Sequence, residues 1–113
     1  MNYTSSIMEL EKNIESLPMS FIGVGEVKGV RFSFYKSNQC VSIYERSDGH
    51  IEVFERKNTA KCIDFEKKLF SETEFKEVYP KSRDFGKTAF TFSKYNDANE
   101  KFKELTKKIR DSK

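Results

Sequence analysis

Four side chains of one hairpin, Tyr44, Arg46, Phe54 and Arg56, are the best placed to do chemistry in this chain. That chemistry is recognition rather than reaction. Aromatic rings stack on bases or side chains, and guanidinium groups hold phosphates or carboxylates. Rings and arginines sharing a sheet face therefore suit a protein surface or a single-stranded nucleic acid. Arg31, Ser33 and Tyr35 of a neighbouring strand are expected beside Ser42, Tyr44 and Arg46, extending the face. A second reading stands next to this one. If a helix lies on the face, Tyr44 and Phe54 are core and the arginines run along its rim with their charge in water. A separate basic set, Lys103, Lys107 and Arg110, lines one side of a terminal helix, with Lys101 and Lys108 flanking it. It is either a solvated face that complements the helix dipole or a contact for a partner or phosphate.

Catalysis has few candidates. His50 is the single histidine, whereas a metal site needs several converging His, Cys or carboxylate ligands. Cys62 with Asp64 and Glu66 reads as the edge of a charged element. A Cys40–His50 pair lacks the third group that would orient a nucleophile. Gly23-Val24-Gly25 with Gly29 has the spacing G-x-G-x-x-x-G, but the residues after it alternate as a strand. A phosphate cradle must instead open a helix, so these glycines read as easing a bend. The expectation is a protein that is not an enzyme, with no metal and no cofactor.

Composition sets the frame. The 113 residues make one α+β domain, 1–113, with one modest core. Apolar residues are only 36%, yet 11 Phe and 5 Tyr are present, so large rings must build that core. The net charge of +3 is milder than dedicated duplex-DNA binders carry and has the wrong sign for an acidic DNA mimic. Two cysteines without a Cys-x-x-Cys pair argue against a disulfide scaffold. Glu9, Glu11 and Lys12 interrupt any apolar leader, and the longest weakly charged stretch is too short to span a bilayer. A soluble protein of a reducing cytoplasm is expected, with no membrane contact.

The elements that must position these residues follow from periodicity. Ile7, Leu10, Ile14 and Leu17 share a helical face, with Ser6 and Glu9 as a capping box and Pro18 as the stop, so residues 4–17 read as a helix. Residues 21–29 read as a connector or irregular strand. Strands follow over 30–35, 41–46 and 51–56, with a polar turn at 36–39. Between the last two strands, a three-residue loop Ser47-Asp48-Gly49, with Gly49 left-handed in a bulge, pairs Ile43 with Val53 and Val41 with Glu55. Only this register gathers Val41, Ile43, Ile51 and Val53 on one side. In 58–79, Cys62, Phe65 and Leu69 fit a helix, Ile63 and Phe65 also fit a short strand, and the seven charged residues from Asp64 to Lys76 favour a surface helix. A strand over 88–93 carries Phe90 and Phe92. Asn96 or Asp97 caps a last helix with the apolar face Ala98, Phe102, Leu105 and Ile109. The fold class is α+β: an antiparallel sheet of about four strands packed with an N-terminal and a C-terminal helix.

Several short motifs occur along the chain. They are Gly25-Glu26-Val27-Lys28-Gly29 leading to Phe32, Ile51-Glu52-Val53-Phe54-Glu55-Arg56-Lys57, Tyr79-Pro80, Asp84-Phe85-Gly86, Ala89-Phe90-Thr91, and Ala98-x-x-Lys101-Phe102-x-x-Leu105. Together they resemble a group of small uncharacterised proteins of bacteria, phages and mobile elements. The group often has tryptophans where this chain has Lys87 and Phe90, and residues 58–78 are longer here. The group has no known activity. The resemblance implies a bacterial or phage setting, in which small proteins act by binding a host or defence protein. The expected function is thus an interaction protein using the aromatic and basic sheet face, and the alternative is a single-strand nucleic-acid binder using the same face.

Overall fold

The structure, a computed structural model, describes residues 13–112. The expected hairpin is present as β4 (Val41–Arg46) and β5 (Ile51–Glu55). Ile43 pairs with Val53 and Val41 with Glu55, the register that the three-residue loop dictates. Gly49 has φ +93°, a left-handed conformation that favours glycine, and its N–H donates to the Arg46 carbonyl.

This hairpin belongs to a compact unit made of Pro18–Arg56 and Pro80–Lys113. Its sheet also contains β2 (Ser20–Ile22), β3 (Arg31–Ser37) and β8 (Ala89–Phe92), in the order β2-β3-β4-β5-β8, all antiparallel. The sheet therefore has five strands rather than about four, and the extra one is the three-residue β2. The glycine-rich segment after it bends through a 3-10 turn, Gly25–Val27. Gly23 lies so close to this turn that a Cβ there would sit 2.4 Å from the Val27 carbonyl oxygen and 2.9 Å from the Phe32 ring.

The C-terminal helix α1 (Tyr95–Asp111) packs on the aliphatic side of the sheet. Ala98 and Leu105 are buried against Val41, Ile43, Ile51 and Val53, with Phe102 and Ile109 half-buried around them, as their helical spacing predicts. Neither Asn96 nor Asp97 is the cap. The helix starts two or three residues earlier than expected, after Lys94, and Asp97 lies in its first turn, where its charge suits the dipole.

The other compact unit comprises Met1–Leu17 and Lys57–Tyr79. Its three-stranded sheet has the order β1-β7-β6, from β1 (Asn13–Glu15), β6 (Lys57–Asp64) and β7 (Leu69–Val78). Two helix expectations are corrected here. Residues 58–79 form a hairpin rather than a surface helix. Its tight turn at 65–68 takes Glu66, Lys67 and Lys68, and the exposed faces of an open hairpin carry Glu72, Glu74 and Lys76 as readily as a helix surface would. Lys68, at φ +54°, turns the chain with neither Gly nor Asn to announce it. Of the expected helix 4–17, residues 13–15 are a strand, because pairing parallel to β7, with Ile14 opposite Phe75, overrides local helical periodicity. Residues 4–12 lie outside the described residues. Lys61 reaches Glu15 at 2.8 Å, and that hydrogen bond holds the Glu15 carboxyl below its ordinary value. Ile63, Phe65, Leu69 and Phe70 are exposed around the hairpin tip. Among the described residues, no helix is long and apolar enough to cross a membrane.

Candidate binding groove

The sheet face opposite α1 is core, not an open surface. Phe34 stands opposite Tyr44, and Phe32 opposite both Phe21 and Arg46, so these rings line up on the Tyr44 side. Phe21 stacks on Phe32 at 4.8 Å between centroids. Phe34 meets Tyr44 edge-on at 5.7 Å, and Tyr44 stacks on Phe54 at 5.8 Å. Tyr44 is 2% exposed and Phe54 0%, so neither ring offers a face to a base or a partner. The Tyr44 hydroxyl donates to the Pro18 carbonyl at 2.8 Å, as a buried hydroxyl requires. Burial was one of the two readings of this face, but α1 is not what lies there: it packs on the aliphatic side, and an aromatic layer occupies this one.

The arginines of the face are engaged internally. Arg46 donates to Glu52, whose side chain is 1% exposed, at 2.8 Å, and also bonds Asp48 at the turn. The hydrogen bond from Arg46 lowers the Asp48 carboxyl to about 2. Arg56 donates to the Asn38 carbonyl at 2.7 Å.

Arg31 and Tyr35 are not beside Tyr44. The β3–β4 pairing shifts between Phe34 and Lys36, and Ser33 stands opposite Glu45, which puts Arg31 and Ser33 on the other side of the sheet. Arg31 donates to Ser20 at 3.2 Å. Tyr35, the extra residue in that bulge, packs against Tyr95 at the start of α1 with ring centroids 5.2 Å apart. The Tyr95 hydroxyl donates to Glu45, and this bond raises its pKa.

Lys103, Lys107 and Arg110 do come together. Spaced four and three residues apart, they share one side of α1. With Asn38, Phe102 and Thr106 they line an open groove of about 470 Å³, and Asp111 is its one acidic lining residue. A second lobe of about 400 Å³ continues it past Asn38, Thr106 and Arg110 to Gln39 and Cys40. The β3–β4 turn forms the far wall, and Asn38 fixes it. The Asn38 amide donates to Thr106 Oγ1 at 2.9 Å, and its Oδ1 accepts from the backbone N–H groups of Cys40 and Val41. Lys36 places its ammonium 4.8 Å from the centre of the Phe102 ring. Lys103 is 4.0 Å from Glu100, at the limit of an ion pair, while Lys107 and Arg110 form no ion pair among the described residues.

Sequence reasoning found the three cations from helical spacing. It missed Asn38, Thr106 and Lys36. A polar turn residue gives no sign of the helix it will bond, 68 positions away.

Comparison with family models, curated proteins and solved structures gives no match.

Proposed function

We propose that this chain is a non-enzymatic interaction protein that binds another protein through the groove along α1. The observation that carries the reading is the convergence of Lys103, Lys107 and Arg110 on a groove whose opposite wall is fixed by Asn38. Exposed cations beside a half-buried ring are the chemistry of a recognition surface: charge steers the encounter, and apolar contact holds it. The resemblance to small bacterial, phage and mobile-element proteins supports a cytoplasmic setting in a bacterial cell, with a host or defence protein as partner. A single-stranded nucleic acid is less well supported, because the stacking platform expected for it, Tyr44 and Phe54, is buried.

The test is affinity capture from bacterial lysate with the wild type and a Lys107→Glu/Arg110→Glu variant. Both positions are exposed, so the variant keeps the fold, which circular dichroism verifies. The reading expects at least one partner retained by the wild type and lost by the variant. Equal capture of every partner refutes it.

A further inference from the structure

We infer that the groove takes an extended acidic peptide segment in which carboxylates alternate with apolar side chains. This rests on the groove being the binding surface and names what fills it. Three observations converge on that ligand.

The first is charge. Lys103, Lys107 and Arg110 face one lining carboxylate, Asp111, and Lys36 adds a further cation over the Phe102 ring. The complement is anionic. The second is spacing. The three cations are strung along the helix rather than gathered around a point, each about one turn from the next, at about 1.5 Å of rise per residue. Lys103 and Lys107 are thus separated by roughly 6 Å along the axis. An extended chain advances about 6.6 Å in two residues, so carboxylates at alternate positions match the step from Lys103 to Lys107, and the long Arg110 side chain spans the difference from the shorter step of roughly 4.5 Å that follows. A lone phosphate would meet one or two of these cations and leave the rest of the groove empty.

The third is the apolar lining beside the cations. Phe102 of the same helix is half-buried and lines the groove, and Cys40 lines the second lobe. In an extended segment successive side chains point to opposite sides. Carboxylates directed at the helix cations therefore send the intervening side chains to the other side, towards the β3–β4 turn and Cys40. An apolar residue there covers surface that a phosphodiester strand would leave wet. This lining favours an acidic peptide over a nucleic acid, although both are anionic.

The experiment uses the full chain and fluorescent octapeptides. One alternates Glu and Leu, one alternates Glu and Ser, and one alternates Lys and Leu; a single-stranded oligothymidylate is titrated alongside. Anisotropy should show saturable binding of the Glu/Leu peptide at low salt. Affinity should weaken about tenfold for the Lys107→Ala/Arg110→Ala variant and by a similar factor for the Glu/Ser peptide, since each change removes contacts worth about one decade in affinity. The Lys/Leu peptide should not bind. The inference is overturned if the Glu/Leu peptide fails to bind, if it binds both chains equally, or if the oligothymidylate binds as tightly. Failure of the peptide arms while lysate capture still depends on Lys107 and Arg110 rejects this ligand and retains the groove. Independence of both from those residues rejects the groove itself.

Discussion

Replacing Arg46 with alanine tests whether the hairpin's charged residues are structural. Its guanidinium is 16% exposed and lies 2.8 Å from the Glu52 carboxylate, which is 1% exposed. Removing one member of a buried pair leaves the other charge in a low-dielectric site, at a cost of about 3–5 kcal/mol. The bond to Asp48, whose side chain is 35% exposed, adds less than about 1 kcal/mol after solvent screening. A guanidinium 5.9 Å from the centre of the Phe32 ring adds a similarly small amount. The pair with Glu52 dominates, and Arg46→Ala should cost about 4 kcal/mol. With a denaturant slope of about 2 kcal/mol per molar, the urea midpoint falls by roughly 2 M. The double variant Arg46→Met/Glu52→Gln removes both charges and keeps most of the volume, so it should return to within about 1.5 kcal/mol of the wild type. Urea titrations followed by circular dichroism measure all three proteins. If Arg46→Ala costs less than about 1 kcal/mol, or the double variant is no more stable than Arg46→Ala, the pair does not do what its burial implies. Arg46 then becomes a binding candidate again.

Asn38→Ala removes three hydrogen bonds at about 1 kcal/mol each and should lower stability by roughly 2–3 kcal/mol, whereas Asn38→Asp keeps both acceptor bonds and should lose about half as much; thermal melts separate the two. Asp48→Asn should cost less than about 1 kcal/mol at neutral pH, because the site is partly exposed. The Asp48 carboxyl lies at about 2 in the folded chain against 3.8 ordinarily, so its contribution is present above the higher value and fades as pH falls through the lower. Urea midpoints of wild type and variant should therefore differ at pH ~6 and converge near pH ~2, and a gap that widens on acidification contradicts the assignment. Gly23→Ala places a methyl group 2.4 Å from the Val27 carbonyl oxygen and should destabilise by about 1–3 kcal/mol, which chemical denaturation measures.

What was legible in the sequence depended on how local its cause was. The register of β4 and β5 was readable because one glycine in one short loop sets it and four aliphatics check it. The core face of α1 was readable from spacing alone, and so were the three groove cations. The β6–β7 turn was not, since Lys68 adopts a left-handed conformation without the usual residue types. Nor was β1, whose partner strand begins more than 50 residues later and holds it by backbone pairing that no side-chain pattern encodes. Alternation correctly placed Tyr44 and Phe54 on the side away from the aliphatics. It carried no information about what lies over them, and β3 misled because the bulge at Tyr35 offsets its pairing with β4. Asn38 needed the folded chain, because its bond to Thr106 exists only once helix and turn have met.

The hairpin of β6 and β7 begins and ends with paired neighbours, Lys57 opposite Val78. Residues paired directly across an antiparallel ladder have Cα atoms only about 4.5–5.5 Å apart. The two ends of the hairpin therefore lie almost at one point, and in chain order they fall between β5 and β8. In genetic terms the tip at residues 65–68 is an insertion point: length added or removed there leaves the base of the hairpin, Lys57 opposite Val78, unchanged. The residues that line the groove along α1 all belong to the other unit, so sequence changes at the hairpin tip, around the exposed Phe65, alter none of them.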